Sequence, residues 1–127
     1  MQNLTPHAGV VLTNDFAEGA GTHIGKYTVV AREQINAATG AVSEGAFVIM
    51  DSRGDTLYGT YIGQATFEPT KATWLANGRI EGGTGRFTGS SGIIRFTGSS
   101  DFSSCKSVSS LTVCSYTESA TGSVSLP

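Results

Sequence analysis

The sequence lacks long apolar runs and runs of charge of one sign. No stretch approaches the roughly 20 apolar residues that a membrane-spanning helix needs. The chain carries 8 basic and 10 acidic side chains, for a net charge of −2, and neither sign is clustered. Nucleic acids and anionic membrane surfaces are bound by clustered positive charge. We therefore expect neither a nucleic-acid partner nor a membrane partner.

Histidine and cysteine are also scarce. Two histidines, His7 and His23, are too few for a catalytic zinc site, and no serine lies in a nucleophile elbow. The sequence therefore predicts no metal, no cofactor and no serine-hydrolase site. Cys105 and Cys114 flank KSVSSLTV without a Cys-x-x-Cys motif, which leaves two alternatives, a disulfide across a hairpin or two free thiols.

The compartment stays open from the sequence. The opening residues MQNLTPHAGVVLTNDF have neither the basic start nor the continuous apolar core of a signal peptide. A secreted or periplasmic location is slightly favoured over a cytoplasmic one, because a disulfide persists in oxidising compartments.

Glycine, threonine and serine take the place of helix-forming residues. The 127 residues include 17 glycines, a composition that disfavours helices and suits twisted strands joined by tight turns. This length fits one domain, residues 1–127. We expect an all-β protein.

Alternation of apolar and polar residues with period two predicts seven strands. They lie near Gly9–Thr13, Thr22–Ile35, Ser43–Asp51, Asp55–Glu68, Thr73–Glu81, Gly92–Ser100 and Leu111–Leu126. Turn-forming residues occur at Asn36–Gly40, Asp51–Asp55 and Ala76–Arg79. Strands linked in sequence without helices favour an antiparallel up-and-down β-barrel of about eight strands over a sandwich.

The stretch GRFTGSSGIIRFTGSS contains RFTGSS twice. It lacks the third glycine of a dinucleotide-binding loop and the aspartate of a calcium β-roll. Because the two copies are nine residues apart, Phe87 and Phe96 would face opposite sides of one uninterrupted strand. We therefore predict a compact turn at Gly82–Gly92 with Phe87 in the core, followed by a strand from Ile93.

Three segments, GAGTHIGKYT, GDTLYGTY and IEGGTGRFTGSSG, resemble in this order small bacterial β-barrels related to the allene oxide cyclase and dirigent-like (calycin-like) proteins. The resemblance covers most of Gly19–Gly92. It implies an eight-stranded barrel that holds a hydrophobic small molecule, often within a homo-oligomer, and in some relatives a cyclase or isomerase activity. The shared glycine motifs are structural, so no catalytic residue is carried over.

Strand parity nominates the candidate site residues. His23, Tyr27 and Glu33 share one apolar face of a predicted strand, and Glu33 there is a candidate general acid because burial raises a carboxyl pKa. His23 is a second candidate for proton transfer. Each has an alternative: His23 bonds a backbone group, and Glu33 is solvated at the barrel mouth, an ambiguity that Glu44 and Glu118 share. The candidate ligand-binding aromatic residues are Tyr27, Phe47, Tyr61 and Trp74.

Two classes of function remain from the sequence. The first is binding of a hydrophobic small molecule inside the barrel, with cyclase or isomerase activity if one ionisable group handles a proton. The second is a non-catalytic binding or structural barrel with a packed core. Only the cyclase or isomerase activity requires Glu33 or His23.

Overall fold

The computed structural model describes residues 2–7, 10–21, 24–108 and 111–126. It is all-β, and the described residues contain no α-helix. The strands are β1 (Gln2–His7), β2 (Val10–Gly21), β3 (Gly25–Asn36), β4 (Ala41–Asp51), β5 (Thr56–Phe67), β6 (Lys71–Gly83), β7 (Ser91–Asp101), β8 (Lys106–Val108), β9 (Leu111–Cys114) and β10 (Tyr116–Ser125). The all-β prediction is confirmed.

The strands form one curled antiparallel sheet. Its order is β10-β7-β6-β5-β4-β3-β2-β1-β9-β8. Strands β2 to β7 are an up-and-down meander, as predicted, because each pairs with the next strand along the chain. The last long strand, β10, skips two short strands and pairs with β7. Curling of the seven long strands encloses an apolar interior.

The prediction of a closed eight-stranded barrel is wrong. The end strands β8 and β10 do not pair in the described part of the chain, so the sheet is an open, curled half-barrel. The chain itself connects the two sides of the sheet. Strand β9 pairs with β1 at one side. After Ser115 the chain continues into β10, which pairs with β7 at the other side.

The core is built on three aromatic rings. Phe47, Tyr61 and Phe96 come from β4, β5 and β7, and their ring centroids are 5.4 to 6.3 Å apart. All three are buried. Two of the three contacts are edge-to-face, an arrangement that the ring quadrupoles favour.

The turn and the buried Phe87 that were predicted for the repeated RFTGSS stretch are confirmed. Its first copy forms a 3₁₀ turn at Gly85–Phe87, with Phe87 buried, and its second copy lies in β7. The Arg86 guanidinium donates hydrogen bonds to Asp51 Oδ2, while Asp51 Oδ1 accepts from the backbone N–H groups of Arg53 and Asp55. One buried carboxylate thus anchors both the turn after β4 and the turn before β7.

Cys105 and Cys114 form a disulfide, which is the first of the two alternatives that the sequence leaves open. The bond links the residue before β8 to the last residue of β9, and the two Cα atoms are 4.0 Å apart. Cys114 is buried at the end of β9, where Gln2 of β1 pairs with it. The disulfide therefore braces the short β8–β9 hairpin at the start of β10.

The turn predicted at Ala76–Arg79 is wrong. These residues continue β6, and both neighbouring strands, β5 and β7, pair with them. Asn77 and Gly78 carry a turn signal, but hydrogen bonding on both edges outweighs this local preference. The predicted turns at Asn36–Gly40 and Asp51–Asp55 do connect strands. Within the described ranges, no helix has the length and apolar character to cross a membrane.

Candidate ligand cavity

An apolar cavity of about 140 Å³ lies inside the curled sheet. Aliphatic and aromatic side chains make up most of its wall. Three carboxyl groups, those of Asp15, Glu33 and Glu118, also line it, and no lysine or arginine does. We call it the carboxyl cavity. A dry apolar cavity of about 150 Å³ is large enough for benzene, and this cavity has a similar volume.

A β-bulge in β4 directs Tyr61 toward Glu33. The register between β3 and β4 shifts between Arg32 and Gln34, and the extra residue lies at Glu44, whose φ is +53°. Bulges bend a strand locally and redirect its neighbours. Gly45, next to the bulge, leaves room for the Tyr61 ring, since a Cβ there would lie 2.6 Å from two ring carbons. The Tyr61 hydroxyl then donates a hydrogen bond to Glu33 Oε2.

Asp15 is the second carboxyl group beside Glu33. Asp15 is opposite Ala31 and Glu33 is opposite Thr13 in the β2–β3 pairing, so the two acids are diagonal neighbours on the inward face. Their side chains are close enough for each to shift the pKa of the other. The Asp15 Oδ1 atom is buried without a hydrogen-bond partner among the described residues. Asp15 therefore has a buried oxygen whose hydrogen-bonding capacity is unused among the described residues.

Glu118 reaches the cavity from the far side of the sheet. In the register of three adjacent strands, Gly98 of β7 lies between Trp74 of β6 and Glu118 of β10. A Cβ on Gly98 would lie 2.5 Å from the Trp74 ring, so only glycine allows the two side chains to meet over β7. The Trp74 Nε1–H donates a 2.8 Å hydrogen bond to Glu118 Oε2.

The apolar surroundings raise the pKa of all three acids, so each stays protonated to a higher pH than is usual for a carboxyl group. Burial, followed by the charge of Glu33, raises the pKa of Asp15 to about 9. Burial also raises the pKa of Glu33, against hydrogen bonds from Tyr61 and Asp15 that lower it. The pKa of Glu118 is raised by burial, although its bond from Trp74 opposes the rise. At neutral pH the Asp15–Glu33 pair therefore holds a proton inside an apolar cavity.

The structure brings most of the predicted site residues together. Glu33, Phe47, Tyr61 and Trp74 all line the carboxyl cavity, and Glu118 joins them. The alternative of a solvated Glu33 is wrong, since its side chain is buried. His23 lies outside the described residues.

Two other predicted residues lie elsewhere. Tyr27 packs on Gly19 at the other end of the interior and does not line the carboxyl cavity. Glu44 is exposed at the β4 bulge, where its carboxylate accepts a 3.2 Å hydrogen bond from Gln34. Neither residue therefore acts on a ligand held beside Glu33.

Asp15 and Phe96 are two of the cavity residues that the sequence did not nominate. The predicted first strand ends at Thr13, because Asn14, Asp15 and Gly19 are typical of turns. In the structure β2 continues to Gly21. A signal was present, since small or polar residues alternate at Thr13, Asp15, Ala17 and Gly19, the inward positions of β2.

A second, larger cavity of about 670 Å³ occupies the end of the interior where Tyr27 lies. Its wall includes Leu57, Ile80, Phe87 and Ile94, together with residues of β2 and β10. We call it the seam cavity. It shares Val29, Phe96 and Glu118 with the carboxyl cavity, so these side chains separate the two.

The described side chains offer no metal site, since no three of their histidine, cysteine, aspartate and glutamate groups are arranged to hold one ion. Comparisons of the chain with protein-family models, with curated proteins and with solved structures find no match. The function must therefore be argued from the cavity itself.

Proposed function

We propose that the protein binds a small hydrophobic molecule carrying an oxygen atom in the carboxyl cavity. The observation that carries this proposal is that two neighbouring carboxyl groups, Asp15 and Glu33, face a cavity whose wall is mostly apolar. Apolar side chains exclude water and supply binding free energy by burial of the ligand. A few placed polar groups then fix its orientation, as in most small-molecule sites.

The acid pair favours a cyclase or isomerase over a passive carrier. A carrier needs no ionisable group, whereas an acid-assisted rearrangement needs a donor whose pKa lies near the working pH. Asp15, which is protonated, donates its proton to a ligand oxygen and becomes a carboxylate, while the Tyr61 hydroxyl remains hydrogen-bonded to Glu33. The proton returns when the product forms. The closely packed rings hold a flexible substrate in a reactive conformer.

The resemblance to allene oxide cyclase and dirigent-like barrels supports the same class of chemistry. The volume of the carboxyl cavity limits the ligand to about the size of benzene. A longer polyene also requires the seam cavity, which it enters past Phe96. We therefore expect either a small cyclic ligand or a longer one that displaces the Phe96 ring.

Filling the carboxyl cavity tests this proposal. Ala76 is buried and lines the cavity, so Ala76→Leu should occupy part of the ligand volume. Ala41→Leu, at an exposed position of β4, is the matched control. In an NMR titration with cyclopentanone, the wild type and Ala41→Leu should bind, and Ala76→Leu should bind about tenfold more weakly. Absence of binding to the wild type, or equal binding to Ala76→Leu, would contradict the proposal.

A further inference from the structure

The carboxyl cavity reaches solvent at the end of the sheet where β5 ends. Phe67, the last residue of β5, lines the cavity on the inward face that it shares with Tyr61 and Ala65. Its side chain is nevertheless 47% exposed. Among the described residues that line this cavity, no other is exposed. Because Phe67 faces both the cavity and the solvent, it marks the boundary between them.

The turn between β3 and β4 closes part of the same end. Gly40, which precedes β4, is buried, and its carbonyl oxygen accepts a 2.7 Å hydrogen bond from the Ala65 N–H. A Cβ on Gly40 would collide with the Ala65 carbonyl oxygen, so the turn approaches β5 this closely because residue 40 is glycine. The Gln64 side-chain amide also donates to the Thr39 carbonyl oxygen. This turn is therefore fixed against β5, and Phe67 bounds the opening that remains.

Phe102 provides a second boundary of the opening. It follows β7 in the 3₁₀ turn Phe102–Ser104 and lines the carboxyl cavity. Its backbone N–H donates a 2.8 Å hydrogen bond to the carbonyl oxygen of Thr70, in the turn that follows Phe67. Its own carbonyl oxygen accepts from the N–H of Cys105, which carries the disulfide. The two phenylalanines therefore lie on adjoining turns.

The two phenylalanines differ in their freedom to move. Phe102 is half-buried, and its turn is joined to β9 by the disulfide. Phe67 is exposed, and its ring contacts no other aromatic ring among the described residues. Exposed side chains change rotamer within picoseconds to nanoseconds. Phe67 is therefore the movable side of the opening, and Phe102 is the fixed side.

We propose that Phe67 and Phe102 form the entrance to the carboxyl cavity, and that the Phe67 ring is a gate that limits the size and the entry rate of ligands. An apolar gate admits uncharged hydrophobic molecules, since an ion would lose its hydration in passing between two rings. The inference rests on the proposed binding of a small molecule in this cavity, but it requires no proton transfer. The competing route leads from the seam cavity past Phe96, whose ring is buried.

The exchange kinetics of benzene, which needs no acid pair, test the entrance on the full chain. An NMR titration gives Kd, relaxation dispersion gives koff, and the two together give kon. Phe67→Ala should raise kon and koff about tenfold each and leave Kd nearly unchanged, because a wider entrance lowers the barrier equally in both directions. Phe67→Trp should lower both rates. Tyr58→Ala, on the outer face of the same strand, is the matched control and should change neither.

The possible outcomes separate the entrance from the proposed function. Wild-type exchange rates in both Phe67 variants would overturn the entrance, even where Ala76→Leu weakens cyclopentanone binding as the proposed function requires. Faster exchange in Phe96→Leu together with unchanged rates in Phe67→Ala would place the route through the seam cavity and also overturn it. Benzene exchange that depends on Phe67, without any binding of cyclopentanone, would support the entrance and contradict the proposed function. Absence of benzene binding to the wild type would overturn the entrance.

Discussion

The indole N–H of Trp74 donates a 2.8 Å hydrogen bond to the carboxyl group of Glu118, which lies 44 residues away in the sequence. The bond crosses β7 above Gly98, whose missing side chain makes the contact possible. It ties β10 to the interior of the sheet. It also places the single tryptophan of the chain beside a cavity carboxyl group.

The fluorescence of Trp74 should therefore report the ionisation of Glu118. Burial raises the pKa of Glu118, so the fluorescence change should have its midpoint above the value of about 4.3 that is usual for glutamate. The measurement is a fluorescence titration of the folded protein. Glu118→Gln should abolish the transition, whereas Glu68→Gln, at an exposed position, should leave it unchanged. Persistence of the transition in Glu118→Gln would contradict the assignment.

The protonated Asp15 should make stability fall as the pH rises. Its pKa is raised to about 9 in the folded protein, whereas the unfolded chain ionises near pH 3.9. Between these values the folded state holds a proton that the unfolded state has lost. The contribution of Asp15 is therefore fully present below about pH 4 and declines up to about pH 9, by at most about 1.4 kcal/mol per pH unit.

Urea unfolding at pH 5, 7 and 9 measures this dependence. Relative to the wild type, Asp15→Asn should gain stability as the pH rises, because the amide has no proton to lose. Glu18→Gln, an exposed change in the same strand, should show no such gain. A wild-type-minus-Asp15→Asn difference that is constant with pH would show that Asp15 is ionised in the folded state.

Gly45 should be intolerant of a side chain because of Tyr61. A Cβ at residue 45 would lie 2.6 Å from the Tyr61 ring, so Gly45→Ala should cost about 1–3 kcal/mol of unfolding free energy through overpacking. In a Tyr61→Ala background the same change should cost much less. Denaturant unfolding of the four proteins gives this double-mutant cycle. Equal costs in the two backgrounds would refute a clash with Tyr61.

The disulfide should stabilise the start of β10. Replacement of Cys105 and Cys114 by serine should reduce the unfolding free energy by about 2–3 kcal/mol, because the unfolded chain regains the freedom of the closed loop. Intact-mass analysis with and without reductant establishes the bond in the wild type. Two free thiols in protein isolated without reductant from its native compartment would contradict the pairing.

The sequence predicts the inward faces better than it predicts the ends of strands and the closure of the sheet. The alternation of apolar and polar residues predicts that Glu33 and Tyr61 face inward, because a strand can bury its apolar side chains only by turning that face to the core. It does not predict that Asp15 faces inward, because Asn14 and Gly19 in the same segment are residue types that are typical of turns. Whether the barrel closes depends on which distant strand pairs with β10. In the structure β10 pairs with β7, and no local sequence pattern predicts that choice of partner.

The central claim is that the Asp15–Glu33 pair donates a hydrogen bond to a ligand oxygen. The most direct test compares the affinities for cyclopentanone and methylenecyclopentane, which have the same shape but differ in the acceptor oxygen. At pH 6 the wild type should prefer the ketone about tenfold. Asp15→Leu should abolish the preference, as should a pH above about 9, where Glu33, Glu118, Tyr61 and Tyr116 are the other titratable groups around Asp15. A ketone preference that survives Asp15→Leu, or no preference in the wild type, would contradict the account.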